Sequence, residues 1–330
     1  MSRRVKVAVG GAVVIAALIA LAGPTPGEPT EVIIPSGATL SQVADSLSAR
    51  GVIRGRALFE LYVRARRADR KIKSGRYLLA TNSSWASTLG SVTRGEVATE
   101  PMTIPEGFMV AQMVPRIAEA TGVSPDSVEA LLADPDLDAK LGVPGPGVEG
   151  YLFPDTYRFA SGVPVSTVLD AMAERYRAVW TPERLARLEE LGLTEGELVT
   201  LASIVQAEAR RPEEMPQIAG VYHNRLEIGW LLQADPTVIY ALGGYRARLL
   251  YAAIDSVADN PYNTYRQSGL PPGPIGAPGE AAIDAALNPT GDYLFFVARP
   301  DGYHVFTRSL AEHNQARIDI RGMNSAQRGS

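Results

Sequence analysis

The sequence predicts an α+β chain in three parts: an N-terminal membrane helix, a small βααβ module and a larger mixed α+β domain. Three observations predict it. An uncharged apolar run opens the chain. Helical and strand-like hydrophobic periods then intermix with no internal repeat. Hydrophobic residues are 46% and charged residues 21% of the 330 positions, the balance of packed domains rather than of a disordered chain. That length accommodates two domains, each with its own core. A formal net charge of −4 lacks the basic surplus of a nucleic-acid binder. With no cysteine, disulfides, thiolate metal sites and a Cys nucleophile are excluded. Such a chain suits work outside the reducing cytosol without bridges.

Residues 1–6, "MSRRVK", form a basic tip. Val7–Gly23 then carries no charged or polar side chain, and residues 24–30 are a Pro/Gly-rich linker. The apolar run sits at the short end of the ~17–25 residues that span a bilayer. Basic residues before it predict a single-pass anchor in the cytoplasmic membrane, N-terminus inside. The "ALA" at 20–22 leaves a second reading, a removed signal peptide. Both readings export the rest of the chain to the periplasmic or extracellular face.

Residues 31–98 form the small module. "EVII" reads as a strand and Ser36-Gly37 as a turn. Leu40, Val43, Ala44 and Leu47 recur at helical spacing until Gly51. In "RALFELYVRARRA", Leu58, Leu61, Tyr62 and Ala65 line one side of a second helix, and "IKSGRYLLA" returns as a strand. The string "IIPSGATLSQVADSL" resembles a LysM-type module, which implies either a glycan-binding unit or a structural prop. A further helix, "WASTLGSVTRGE", follows.

Residues 99–322 form the larger domain. It opens with a strand, the "IPEG" turn and a helix, then an acidic, Pro-rich helical connection to about Gly147. "EGYLFPDTYRF" interleaves aromatic and polar residues, and a helix spans about Ser166 to Trp180. Later, "DYLFFVARPDGYHVF" predicts a hairpin turning at Asp301-Gly302, then a last helix. Residues 323–330 read as a frayed tail.

The chemistry centres on "TEGELVTLASIVQAEAR". Thr194 with Glu197 three residues on is a capping-box pattern, so a helix begins there. At about 100° per residue, Glu208 shares a stripe with Leu201, Ile204 and Val205, while Gln206 points away. Three nearby acids, Glu195, Glu213 and Glu214, fall at helix ends or in "RRPEE", where solvent is expected. Burial raises a carboxyl's pKa, and a Glu protonated near neutral pH is what a general acid requires. The alternative for Glu208 is a helix-end residue reaching water or pairing with Arg210 or Arg211.

After Glu208, "VYHNRLEIGWLLQADPTVIYALG", "YNTY" and the stiff "GLPPGPI" bunch Tyr with Asn, Gln and Asp. Tyr stacks on sugar faces and amides bond hydroxyl and acetamido groups, so the group suits a glycan. Packing of a Pro-rich loop is the alternative for any one of them.

Together "LASIVQAEA", "VYHNRL", "LQADPTVIYALG", "YNTY", "GLPPGPI" and the "HVF" that precedes "HN" resemble the endolytic murein transglycosylases, the YceG-like (MltG) family. The resemblance covers nearly the whole chain. It implies an enzyme that cuts β-1,4 bonds between N-acetylmuramic acid and N-acetylglucosamine in nascent peptidoglycan. The product carries a 1,6-anhydro end, which terminates the strand. The partners implied are peptidoglycan glycan strands, the cytoplasmic membrane and peptidoglycan synthases, with no nucleic acid and no cofactor.

The same resemblance places the catalytic acid at Glu208. The position two residues earlier, often Glu in relatives, is Gln206 here, which argues against a second carboxylate at that point. Motif matching assigns substrate positioning to Gln233, Asp235, Asn263 and Tyr265, with Glu149 and Asn224 beside them, some as supports for loops. One acid suffices if the substrate's own C6 hydroxyl is the nucleophile. Two other readings stay open. One is a hydrolytic muramidase in which Asp155 or Asp235 steers a water. The other is an anchored scaffold that holds glycan without cutting. His223, His304 and His313 lack the paired spacing of a zinc helix, so no metal is expected. His223 is expected on a helix surface or in packing, and His304 on the hairpin, facing the site or packed within it.

Overall fold

The computed structural model describes residues 25–244 and 249–328, without the side chains of 323–328. The expected anchor at 7–23 and its basic tip lie outside the described residues. Among those described, no helix is long and apolar enough to cross a membrane. The described residues divide into two compact units, those up to 101 with 158–162, and 102–157 with those from 163 onward.

In the first unit, β1 (Pro29–Ile34) pairs antiparallel with β2 (Gly75–Ala80), Val32 opposite Tyr77. Between them run α1 (Leu40–Ala49) and α2 (Arg56–Ala65), the expected strand–helix–helix–strand order, and α3 (Trp85–Arg94) follows. A capping box of Thr39 and Gln42 starts α1. Val32, Val43, Leu47, Phe59, Val63, Tyr77 and Trp85 form the core.

The expected inner face of α2 holds at Tyr62, which packs against the core, and is corrected at Leu58, Leu61 and Ala65. Leu58 and Leu61 are 49% and 64% exposed, while Phe59 and Val63 turn inward. The cause lies outside α2. Trp85 meets Phe59 edge-on at 6.2 Å and Tyr62 at 5.9 Å, so the inward face is the one that packs on Trp85.

A two-stranded sheet pairs β3 (Thr99–Thr103) with β4 (Thr156–Ala160). The second unit begins with α4 (Val110–Thr121), α5 (Pro125–Leu132), α6 (Leu137–Leu141) and α7 (Val165–Val179). Next is α8 (Pro182–Leu191), which the periodicity reading passed over. Thr181 caps its start, Pro182 occupies the first turn and Gly192 ends it in the left-handed region.

At the centre lies α9 (Glu195–Glu208), packed against α10 (Met215–Glu227), α11 (Asp235–Ala241) and α13 (Glu280–Leu287). The Thr194–Glu197 capping box is present. The single apolar stripe is not: every side chain from Leu198 to Val205 is buried. A helix enclosed on all sides is apolar all round. Glu208 follows this buried stretch in the last turn, where Ala207 is exposed and Glu208 is half-buried.

Close packing also needs Gly220 in α10. A Cβ there would come within 2.1 Å of the Thr290 carbonyl oxygen. After α10 come α11, the short α12 (Tyr251–Ser256) and α13. Strands β5 (Phe295–Ala298) and β6 (His304–Thr307) form the expected hairpin, with Gly302 at φ +86° in its turn. The last helix, α14 (Leu310–Arg328), continues through most of the segment expected to fray. No Pro or Gly interrupts it between Gly322 and Gly329.

Candidate active site

Glu208 closes α9, and Ala209 leaves the helix in extended conformation. Its side chain keeps a partly open surface, yet protein atoms crowd the carboxyl. Burial pushes its pKa up to about 7, with the Tyr222 hydroxyl and the Arg225 charge opposing and the Asp235 charge assisting. Tyr222, fully enclosed on α10, donates its hydroxyl to Glu208 Oε1 at 2.9 Å. One carboxyl oxygen is thus held, and the other is left for chemistry.

Neither neighbouring arginine pairs with Glu208. Arg211 instead donates to the Asp301 carbonyl and lies over the Tyr303 ring. The cation that Glu208 does feel is Arg225, one helical turn after Tyr222 on α10. Arg225 is 8% exposed and donates to the carbonyls of Leu294 at 2.7 Å and Leu232 at 2.6 Å. Its guanidinium also faces the Phe295 ring. These bonds tie α10 both to the hairpin and to the loop that leads into α11.

That loop carries two of the motif residues. Gln233 is exposed and holds φ at +51°, a region that favours glycine. Its N–H donates to the Thr264 carbonyl at 3.1 Å, and Ala234 N–H donates to Thr264 Oγ1 at 3.0 Å. Asp235 is exposed at the start of α11 and accepts the Tyr265 hydroxyl at 2.5 Å. The structure therefore joins Glu208, Asp235 and Tyr265 into one electrostatic group, with Gln233 beside Asp235 in the chain.

The other three motif residues are held elsewhere. Asn263 is fully buried. Its amide donates to the Ile254 and Val257 carbonyls at 2.9 and 3.0 Å, and its oxygen accepts Tyr265 N–H at 3.1 Å. It shapes the loop that presents Tyr265. Asn224 donates to the Gly291 and Tyr293 carbonyls, tying α10 to the segment before the hairpin. Glu149 accepts Val110 N–H at the start of α4, at 3.1 and 3.2 Å, and burial raises its pKa to about 7. It acts as a cap supplied from a distant segment.

Gln206, which replaces a frequent Glu, accepts Gly279 N–H at 3.0 Å. Ser203 accepts Ile275 N–H at 3.0 Å. Together they fasten the Pro/Gly-rich segment onto α9. Asp155, the candidate for steering a water, is engaged by a cation. Arg175 Nε bonds it at 2.8 Å and holds its carboxyl below the usual range.

His223 packs, its Nε2 donating to the Ala286 carbonyl at 3.0 Å. Glu214 is corrected too: it is 7% exposed, not solvated, because His304 from the hairpin bonds it. Sequence reasoning missed Tyr222, Arg225 and Glu214. Nothing in "RRPEE" distinguishes Glu214 from Glu213, and the partner that buries it stands 90 residues on. Tyr222 stands 14 residues after Glu208 in the quoted "VYHNRL", and its aromatic character is the one signal there.

The YceG-like family model matches residues 32–318. Over 301 residues the chain is 33% identical to the endolytic murein transglycosylase of Bacillus subtilis (strain 168), covering 86% of this chain and 82% of that protein. It is 29% identical over 324 residues to the endolytic murein transglycosylase of Streptococcus pneumoniae serotype 2 (strain D39), covering 87% of this chain. The match spans 58% of that longer relative. A crystal structure of a yceG-like protein from Listeria monocytogenes matches with a TM-score of 0.61 at 30% identity, over 87% of this chain and 98% of that one. A match across nearly the whole sequence and a shared fold place this chain in the YceG-like family.

Proposed function

We propose that this chain is an endolytic murein transglycosylase with Glu208 as its single catalytic acid. The observation that carries the reading is the Glu208 carboxyl: burial raises its pKa to about 7, so a substantial share stays protonated near neutral pH, and Tyr222 holds one of its oxygens. The names of the Bacillus and Streptococcus relatives support the same activity.

The reaction needs no second carboxylate. Glu208 donates its proton to the oxygen bridging N-acetylmuramic acid to the next sugar, and the C1–O bond breaks. Positive charge gathers at C1, as in glycosidases generally. The muramyl C6 hydroxyl attacks C1, its proton passes to the Glu208 carboxylate, and the acid is restored. Water stays out of the balance, and attack from within the same sugar supplies proximity. Asp235 favours the protonated acid at the outset, while Tyr222 and Arg225 steady the carboxylate that forms. Gln233, Asp235 and Tyr265 position the sugars.

The basic tip and the run Val7–Gly23 support an anchored chain that works on the outer face of the cytoplasmic membrane. There it meets strands as synthases extrude them, with residues 31–98 as a LysM-like unit. Mass analysis of the products tests the chemistry. An anhydro end is one water lighter than the end that a hydrolytic muramidase leaves, and binding without release identifies a scaffold.

A further inference from the structure

We propose that His304 and Glu214 are positioning residues for the acid, acting through Phe296 and Tyr222; this rests on Glu208 being the catalytic acid. The two residues form a buried pair at the edge of the hairpin. His304 N–H donates to Glu214 Oε1 at 3.0 Å, and its Nδ1 donates to Oε2 at 2.9 Å. Both carboxyl oxygens are engaged, which fixes the ring's orientation. The imidazole meets the Phe296 ring edge-on, 5.3 Å between centroids at 89°. Phe296 meets Tyr222 in the same way, at 5.9 Å and 87°. Tyr222 ends the series with its 2.9 Å hydrogen bond to Glu208. Edge-to-face contacts are directional, so each ring limits the tilt of the next.

Two points separate this role from plain docking of the hairpin. The docking is already provided by Arg225 on the Leu294 carbonyl and Asn224 on the Tyr293 carbonyl. Glu214 also ends the short turn Pro212–Glu214 that leads from Glu208 into α10. The pair therefore grips the chain on one side of Tyr222 and, through Phe296, bears on its ring from the other.

The test measures glycan-strand cleavage against pH for the 330-residue chain and its variants. In His304→Ala, kcat should fall about 10-fold with KM within about twofold of wild type. The alkaline limb of kcat should move to higher pH, as in Tyr222→Phe, because the hydroxyl that lowers the Glu208 pKa is misplaced. The double variant should be no worse than the poorer single one. His304→Asn, whose amide can donate to Glu214, should recover most of the rate, and it keeps the test valid if His304→Ala fails to fold. An unmoved alkaline limb, additive losses in the double variant, or a folded His304→Asn as slow as His304→Ala each overturns the proposal. A wild-type chain that cleaves nothing overturns the reading of Glu208 instead.

Discussion

Tyr222 and Glu208, 14 residues apart, meet at 2.9 Å where α10 crosses the end of α9. The hydroxyl stabilises the carboxylate more than the acid, so it pulls against the burial that raises the Glu208 pKa. Tyr222→Phe should therefore move the alkaline limb of kcat to higher pH and lower the maximal rate about 10-fold. A pH–rate profile that keeps the wild-type limb would show that the hydrogen bond does not tune the acid.

Stability should respond to the same carboxyl. The folded-state pKa of Glu208 is raised from 4.5 to about 7, so the folded chain holds this proton more tightly than the unfolded one. Its contribution is fully present below about pH 4.5 and is lost as pH rises through about 7. Glu208→Gln has no such loss. It should be more stable than wild type at pH 8 by about 1–3 kcal/mol, after allowing for partial exposure, with the gap closing near pH 4.5. Denaturant melts at the two pH values check this, and equal stabilities at pH 8 would contradict it.

Asn263 predicts a structural loss rather than a chemical one. Truncation to Ala removes the donor to the Ile254 and Val257 carbonyls and the acceptor for Tyr265 N–H, all around a buried side chain. Asn263→Ala should cost about 2–4 kcal/mol in thermal or denaturant unfolding. A melt unchanged from wild type would remove Asn263 from its role in shaping the loop.

Gln233 separates strain from function. At φ +51° a glycine fits with less strain than glutamine, so Gln233→Gly should keep wild-type stability within about 1 kcal/mol. KM for glycan strands should nevertheless rise, because the exposed amide is gone. Unchanged kinetics would show that Gln233 does not touch substrate.

Local signals made much of the fold legible. The Thr194–Glu197 box marked the start of α9, Asp301-Gly302 marked the hairpin turn, and the βααβ order followed from hydrophobic period. Errors arose where a distant partner decides burial. The inward face of α2 packs on Trp85, which no helical wheel of α2 contains. Glu214 looked solvated because His304 is remote in sequence. Glu208 was found by pattern and motif, but for an incomplete reason: the helix is buried all round from Leu198 to Val205, not along a single apolar face, and Glu208 follows that stretch. Asn224, Asn263 and Glu149 share motifs with the site, yet their side chains bond backbone groups. A motif marks residues that matter together without separating contact from support.

The central claim is that one carboxyl acts first as acid and then as base, with the substrate's own hydroxyl as nucleophile. Mass spectrometry of isolated glycan strands treated with wild type and with Glu208→Gln tests it most directly. Wild type should release 1,6-anhydro-muramyl ends, and a folded Glu208→Gln chain none above background. Reducing muramyl ends from wild type, or anhydro ends released at wild-type rate by Glu208→Gln, would contradict it.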